Sequence, residues 1–149
     1  MVNYQGKTAL ITGASSGLGE SYALALTDMG AHVILVARRA DRLRNLADRI
    51  SAKHGILAAT VLPMDLSRKD AAASLSKILK GRNYQIDILI NNAGFGHAVH
   101  FIDEDPQSVI DELTVNVSTL VELTHAFLPA MVERKDGIVI NIASTAAFQ

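Results

Sequence analysis

The sequence predicts an α/β fold in which helices cover both faces of a doubly wound, parallel β-sheet. Short apolar runs rich in valine and isoleucine alternate with longer segments of helical periodicity. These runs are continuous, which is typical of strands buried on both faces. With 149 residues, 49% hydrophobic and 19% charged, the chain is long and apolar enough for one core. We therefore expect a single domain over residues 1–149, without an interdomain linker.

Five apolar runs are predicted to be strands. They cover residues 8–12, 32–37, 57–62, 86–90 and 137–142. Right-handed crossovers through the intervening helices would make the strands parallel. Ligands of such sheets bind beyond the carboxyl ends of the strands, at the point where the strand order reverses. We therefore expect a binding site just after the first and fourth strands.

Helical regions are predicted between the strands. The first two cover residues 18–29 and 41–54. Ser67 with Asp70 resembles a capping box that opens a third helix. Asp105 followed by Pro106 is typical of a cap and a first helical turn, so a fourth helical region is expected to run, with a break, to about residue 133.

Charge and composition exclude several classes of function. Fourteen basic and fifteen acidic residues give a formal charge of −1, which offers no surplus for binding nucleic acid. The chain has no cysteine, so it has no disulfide framework and no thiolate chemistry. The first residues do not resemble a signal peptide, and no stretch reaches eighteen uninterrupted apolar residues. We expect a cytoplasmic protein without a membrane or nucleic-acid partner.

A glycine-rich turn follows the first predicted strand. Its candidate binding residues are Gly13, Ser15, Ser16, Gly17, Leu18 and Gly19. Glycines let the backbone approach a pyrophosphate closely, and the free N–H groups at the start of the following helix supply donors and positive potential. The turn therefore predicts binding of a dinucleotide.

Other interpretations of this turn are weaker. A Walker loop requires Gly-Lys-Ser/Thr, whereas Glu20 follows Gly19. Residues 13–17 also spell the Gly-x-Ser-x-Gly pattern of a hydrolase nucleophile. Only twelve residues precede Gly13, too few for the earlier strand and loop that complete an oxyanion hole in the hydrolase fold. A turn without a ligand is the remaining alternative.

The coenzyme prediction depends on Arg38 and Arg39. About twenty residues beyond the last glycine, an acidic side chain would bind the ribose 2′-hydroxyl of NAD. The sequence has two arginines there, and guanidinium groups suit a phosphate. This favours NADP(H) over NAD(H). The alternative is a solvated pair that interacts with Asp41 or Asp105, which is nearly as good an interpretation for Arg39.

Four motifs resemble those of the short-chain dehydrogenase/reductase family, and the resemblance runs from Lys7 to Phe148. They are the turn from Thr12 to Gly19, Asp65-Leu66, Asn91-Asn92-Ala93-Gly94 and Asn141-Ile142-Ala143-Ser144. The resemblance implies a Rossmann-type sheet with strand order 3-2-1-4-5, continued in the family by C-terminal strands and helices that these residues lack. It also implies that Asp65 and Leu66 contact adenine. Asn92, Ala93 and Gly94 would shape the adenosine side of the pocket.

The resemblance also implies catalytic roles. Ser144 corresponds to the serine that bonds the reacting oxygen of the substrate, and Asn116 to the asparagine whose backbone or side chain holds a water in the proton relay. Without ligands, Ser144 would cap a turn and Asn116 would satisfy a helix kink. The complete protein would be an NADP(H)-dependent carbonyl reductase or alcohol dehydrogenase, acting on a small carbonyl or alcohol substrate as a homo-oligomer.

The family's proton donor is not found in these residues. Family members use a tyrosine with a lysine four positions later, but Tyr4, Tyr22 and Tyr84 are followed there by threonine, leucine and isoleucine. Only five residues follow Ser144. We therefore expect a C-terminally truncated polypeptide that is inactive alone. The alternative function is a non-catalytic module that binds NADP(H).

Two further patterns receive plainer interpretations. His97 and His100, with Asp103 and Glu104 nearby, could suggest a metal site, but a polar loop at a substrate mouth explains them equally, so we predict no metal. An apolar helix face is expected to be core or, by the resemblance, part of a subunit interface. It comprises Val121, Leu123, Phe127, Leu128 and Met131.

Overall fold

A computed structural model describes residues 4–144, and the part of the resemblance from Thr145 to Phe148 lies outside them. The described chain folds around a five-stranded sheet of order β3-β2-β1-β4-β5, with every pair of neighbours parallel. The strands are β1 (Thr8–Thr12), β2 (His32–Ala37), β3 (Ala59–Pro63), β4 (Ile88–Asn91) and β5 (Ile138–Asn141). The predicted fold class and strand order are confirmed.

Helices cover both faces of the sheet. The helices are α1 (Gly17–Asp28), α2 (Ala40–His54), α3 (Ala71–Gly81), α4 (Pro106–Leu113) and α5 (Thr119–Arg134). Helices α1 and α2 pack on one face, and α3 and α5 pack on the other. Short 3-10 turns occupy Ile56–Ala58 and Phe101–Asp103, and a π-helical segment, Thr114–Ser118, joins α4 to α5.

The continuous apolar strands explain the two-sided core. Successive residues of β1 face opposite sides, so that Leu10 packs under α3 and α5 while Ile11 packs under α1 and α2. Both side chains are fully buried. Truncation of such a side chain to alanine costs about 2–5 kcal/mol in a well-packed core.

The ends of three strands differ from the prediction. Strand β3 begins at Ala59, because Ile56 and Leu57 form a 3-10 turn in which both side chains are more than 80% exposed. Strand β4 begins at Ile88, and the carboxylate of the preceding Asp87 accepts a hydrogen bond from the Thr8 backbone N–H. Strand β5 is shorter at both ends.

The predicted capping box at Ser67 is wrong. The backbone N–H and the hydroxyl of Ser67 both donate to Asp65 Oδ1, at 3.1 and 3.0 Å. Helix α3 starts only at Ala71, and the Asp70 carboxylate accepts a hydrogen bond from the Ser74 hydroxyl. Asp65 competes successfully for Ser67 because it lies two residues earlier, a spacing that favours a local turn.

The fourth helical region runs as predicted, with a break at the π-helical segment. Pro106–Arg134 is long and apolar enough to cross a membrane, with a mean hydropathy of 1.2 in its most apolar window. Length and composition alone are weak evidence, because core helices meet the same criteria. In the predicted apolar face, Leu123, Phe127 and Met131 are buried core residues, whereas Val121 and Leu128 are exposed.

Candidate functional site

The glycine-rich turn between β1 and α1 has the backbone that its sequence requires. Gly13 and Gly17 have φ values of +66° and +60°, in the left-handed region that other residues rarely adopt. A Cβ atom on Gly13 would also lie 2.8 Å from the Ala93 Cα atom. Helix α1 begins at Gly17, so its first N–H groups lie at this turn.

Gly19 serves a different purpose in the same turn. It lies within α1 and is buried. A Cβ atom there would collide with the Gly13 carbonyl oxygen and would lie 2.6 Å from the Asn92 side-chain nitrogen. The missing side chain therefore lets the helix pack directly against the turn and against the end of β4.

Thr12 and Asn92 join the carboxyl ends of β1 and β4. The Thr12 hydroxyl accepts hydrogen bonds from the backbone N–H groups of Asn92 and Ala93, both at 3.0 Å, and donates to the Ile90 carbonyl oxygen at 3.3 Å. The Asn92 amide donates to the carbonyl oxygens of Thr12 and Gly13 at 3.0 and 3.2 Å. This network holds the glycine turn beside the Asn-Asn-Ala-Gly segment, where the sequence predicts a binding site.

An open cavity of about 880 Å³ lies at this edge of the sheet. Of the predicted site residues, thirteen line the cavity: Gly13, Ser15, Ser16, Leu18, Arg38, Arg39, Asp65, Leu66, Asn92, Ala93, Gly94, Asn116 and Ser144. Gly17 and Gly19 do not line the cavity, and they shape the glycine-rich turn instead. The volume falls within the range of small-molecule and cofactor sites.

The two arginines are held differently. Arg39 donates from Nη2 to the hydroxyls of Ser15 and Ser16 at 2.9 and 2.8 Å, so its guanidinium group is fastened to the glycine turn. The guanidinium carbon of Arg38 lies 5.6 Å from the centre of the Phe95 ring, within the range of a cation–π contact. Within residues 4–144, neither arginine forms an ion pair with a carboxylate, including Asp41 and Asp105.

Asp65 and Leu66 follow β3 at the far side of the cavity. Asp65 is held by the two hydrogen bonds from Ser67. Leu66 is 5% exposed, and its carbonyl oxygen accepts a hydrogen bond from the Thr119 hydroxyl at 2.9 Å. The segment is therefore anchored both locally and to the start of α5.

Asn116 lies in the π-helical segment, and both the oxygen and the nitrogen of its side-chain amide form hydrogen bonds. Its Oδ1 atom accepts the Phe95 N–H at 3.1 Å, and its Nδ2 atom donates to the Phe95 carbonyl oxygen at 2.8 Å. The amide thus pairs with Phe95 as a neighbouring strand would. A π-helical turn also breaks the regular helical hydrogen-bond ladder, which frees backbone groups for other partners.

Ser144 lies just after β5 and lines the same cavity as Asn116. The backbone N–H of Ile142 donates to the Asn91 carbonyl oxygen at 3.0 Å, which aligns the end of β5 with the end of β4. The carboxyl ends of β1, β4 and β5 therefore all contribute residues to one cavity.

Thr12, Phe95 and Glu112 also contribute to this site, although the sequence did not assign them to it. Thr12 was part of a motif, but its position at the end of a buried strand did not reveal that it bonds to β4. Phe95 follows the Asn-Asn-Ala-Gly segment directly, and an aromatic residue in a site loop was the available signal. Glu112 lines the cavity from α4, and no local pattern marked it.

The comparisons with known proteins agree with this architecture. The short chain dehydrogenase family matches residues 7–149. A short chain dehydrogenase of Pseudocercospora fijiensis is 40% identical over 148 residues, covering 96% of this chain and 46% of the relative. A very-long-chain 3-oxoacyl-CoA reductase of Laccaria bicolor is 35% identical over 144 residues, covering 95% and 42%. The chain thus spans less than half the length of these two relatives.

A solved structure shares the same fold. The short-chain dehydrogenase from Sphingobium yanoikuyae in complex with NADPH superposes with a TM-score of 0.87 at 36% identity, covering 95% of this chain and 55% of that one. The family match over nearly the whole sequence, together with the glycine turn, the sheet order and the cavity at the strand ends, shows that this chain belongs to the short chain dehydrogenase family of oxidoreductases.

Proposed function

We propose that this chain binds NADP(H) in its cavity and provides the coenzyme-binding part of a carbonyl reductase or alcohol dehydrogenase. The observation that carries the proposal is the convergence of the glycine turn, Arg38 and the end of β4 on one cavity of about 880 Å³. The turn supplies backbone N–H groups for the diphosphate. The Arg38 guanidinium, which forms no ion pair within residues 4–144, supplies the charge for a 2′-phosphate.

The two arginines would divide the recognition of the coenzyme. Because Arg39 donates to Ser15 and Ser16, it shapes the turn that receives the diphosphate. Arg38 instead rests against Phe95, which orients its guanidinium without occupying its hydrogen-bond donors. We therefore assign the preference for NADP(H) over NAD(H) mainly to Arg38.

For catalysis, bound NADPH would supply the hydride that reduces a carbonyl group. Ser144 would donate a hydrogen bond to the reacting oxygen, at the end of β5. Since the Asn116 side chain is engaged with Phe95, the water of the proton relay would be held by the Asn116 backbone in the π-helical segment. The sequence contains no Tyr-x-x-x-Lys, so we expect these 149 residues to bind coenzyme without reducing a carbonyl.

A second candidate function is a non-catalytic module that binds NADP(H). The cavity residues named above are all present, while the tyrosine–lysine pair is not. A module of this kind would bind NADPH fully and show no turnover with any carbonyl, even when tested together with other polypeptides that complete the family's site.

Titration of the purified protein with NADPH, followed by coenzyme fluorescence, tests the proposal. We expect saturable binding that is weakened about 10- to 100-fold by Arg38→Ala, with little effect on NADH, since a charge-assisted phosphate contact is lost. Arg42→Ala is the matched control, because Arg42 is an exposed arginine near the start of α2. Absence of NADPH binding at millimolar concentration would refute the proposal.

We also propose that the protein forms a homo-oligomer through α4, α5 and the π-helical segment between them. Their outer side carries exposed apolar residues: Ile110, Leu113, Val117, Val121, Leu128 and Val132 are each 41–66% exposed. Exposed apolar residues that recur every three or four positions along a helical region are typical of a protein–protein contact. A cytoplasmic location remains part of the proposal.

A further inference from the structure

Three side chains with metal-binding groups converge at the rim of the cavity. His97 lies in the loop after β4, Glu104 follows the Phe101–Asp103 turn, and Glu112 lies in α4. His97 Nδ1 is 2.7 Å from Glu104 Oε1 and 3.7 Å from Glu112 Oε2. One ligand atom from each residue lies within 4.8 Å of the other two.

Two carboxylates share one imidazole in this cluster. Glu104 Oε1 is buried and pairs with His97 Nδ1 at 2.7 Å, and Glu112 Oε2 lies 3.7 Å from the same nitrogen. The Glu104 side chain as a whole is only 13% exposed. Two carboxylates with at most one positive charge between them are unfavourable away from water, so an additional cation would stabilise the cluster.

The surrounding structure holds the three residues in place. Phe95, two residues before His97, is fixed by both ends of the Asn116 amide. Its ring meets the His97 ring edge-on, at 5.5 Å between centroids. Asp105, next to Glu104, caps α4 by accepting the Ser108 N–H at 2.9 Å. The cluster therefore combines segments that are each anchored by other contacts.

We propose that His97, Glu104 and Glu112 bind a divalent transition-metal cation, with zinc as the best match. One imidazole and two carboxylates are ligands that Zn²⁺ accepts in a tetrahedral arrangement. Mg²⁺ and Ca²⁺ prefer oxygen ligands alone, so the imidazole disfavours them. Three protein ligands leave one position of a tetrahedral ion open to water or to another oxygen ligand.

The location of the cluster indicates a role for the open coordination position of the ion. Glu112 and Gly96 both line the coenzyme cavity, so the cluster forms part of its rim. A cation here would attract an oxygen-rich or anionic group of a molecule entering the cavity. The metal site does not depend on the proposed coenzyme function, so an experiment can refute either proposal without refuting the other.

The sequence did not predict a metal site, and the histidine pattern that could suggest one differs from this cluster. His100 and Asp103, which belong to that pattern, are exposed and lie outside the cluster. Glu112 replaces them because α4 returns toward the loop. Its side-chain oxygen would lie 3.5 Å from a Cβ atom at Gly96, which places it close to the loop backbone.

Zinc titration of the chelator-treated protein by calorimetry tests this proposal. We expect one zinc ion per chain, and a loss of about tenfold or more in affinity for each of His97→Ala, Glu104→Gln and Glu112→Gln. His100→Ala and Asp103→Asn are matched controls in the same loop and should bind zinc like the wild type. Mg²⁺ should not compete.

A second measurement avoids dependence on the folding of the variants. When one equivalent of zinc is added to the wild-type protein, the NMR signals of the His97 imidazole should shift. The signals of the other four histidines should not. The proposal is overturned if no zinc binds up to about 100 µM, if the His97 signals do not move, or if the controls lose zinc as strongly as the cluster variants.

Discussion

Individual residues in the glycine turn act through distinct physical effects. Gly17 is needed for its positive φ alone, because a Cβ atom there would meet nothing within 4 Å. Gly19 has an ordinary helical backbone but no space for a side chain, since the Gly13 carbonyl oxygen and Asn92 occupy it. Gly13 combines both constraints. The turn therefore depends on backbone conformation at one position and on close packing at another.

This difference predicts a graded effect of alanine substitution. Gly17→Ala should destabilise the protein by about 1–2 kcal/mol, the cost of a left-handed backbone for a residue with a Cβ atom. Gly19→Ala should destabilise by about 1–3 kcal/mol through overpacking and, because it displaces the turn from Asn92, should weaken NADPH binding more than Gly17→Ala.

Urea unfolding and NADPH titration of both variants check this prediction. Gly17→Asn serves as a control, because asparagine tolerates the left-handed region and should recover part of the stability lost in Gly17→Ala. Equal effects of Gly17→Ala and Gly19→Ala on coenzyme affinity would contradict the assignment of separate roles.

Residues with a local signature could be predicted from the sequence, whereas residues defined by distant contacts could not. The glycines, Arg38 and Asn92 stand beside strand ends and carry recognisable spacing. Phe95 and Glu112 reach the site only because α4 and the π-helical segment fold back onto the loop after β4. Which neighbours meet across such a loop depends on the tertiary structure, and no short pattern encodes it.

At the scale of elements, the π-helical segment connects the coenzyme cavity to the long helical region. It places Asn116 opposite Phe95, and Phe95 in turn contacts both Arg38 and His97. The sequence indicated a break in this helix but not its type, because π-helical geometry depends on packing and on side-chain partners. The predicted capping box at Ser67 was wrong for a local reason, because Ser67 forms its hydrogen bonds with Asp65 instead.

The Asn116–Phe95 pairing predicts a local loss of order when the amide is removed. Asn116→Ala leaves the N–H and C=O groups of Phe95 without partners, at a cost of about 1–3 kcal/mol. Hydrogen exchange should accelerate over residues 92–100, and NADPH affinity should fall because Arg38 loses its support against the Phe95 ring.

Hydrogen exchange followed by mass spectrometry measures this effect. Ser118→Ala is the control, because Ser118 is exposed and belongs to the same π-helical segment. Unchanged exchange over residues 92–100 in Asn116→Ala would show that the loop is held by other contacts.

For the whole molecule, the two-layered core followed from apolar patterning and the strand order from the family resemblance, while the strand ends followed from neither. Continuous apolar runs specify burial on both faces and hence a covered sheet. At the start of β4, by contrast, the polar side chain of Asp87 bonds to the first residue of β1. Polar contacts between elements therefore adjust boundaries that hydrophobic periodicity leaves undefined.

One such contact predicts a pH dependence. Lys7, just before β1, forms an ion pair with Asp136, just before β5. The hydrogen bond and charge of Lys7 lower the pKa of Asp136 below its usual 3.8, and the hydrogen bond that Lys7 donates to Asp136 raises the pKa of Lys7 above 10.5. The ion pair therefore contributes fully to the stability of the fold between pH 3.8 and pH 10.5, the ordinary pKa values of the two groups. Its contribution is lost as pH falls through the lowered pKa of Asp136 or rises through the raised pKa of Lys7.

Urea midpoints of the wild type and of Asp136→Asn, measured across pH, check this contribution. The variant should be slightly less stable at pH 7, because exposed pairs contribute little, and the difference should shrink toward acidic pH. Asp103→Asn, which removes an exposed carboxylate elsewhere, should show no such convergence. A difference that persists unchanged at acidic pH would exclude the ion pair as its cause.

The exposed apolar surface of α4 and α5 provides the prediction at the largest scale. Substitution of Val121 and Leu128 by glutamate introduces charges that would have to be desolvated in a subunit contact, which is strongly unfavourable. We expect a wild-type dimer or larger oligomer, and a monomer for the double variant at equal concentration, measured by sedimentation velocity. Ile56→Glu is the control, because Ile56 is 82% exposed and lies in the turn before β3, away from these helices. A wild-type protein that sediments as a monomer would exclude the contact. A double variant that stays associated would place the contact elsewhere.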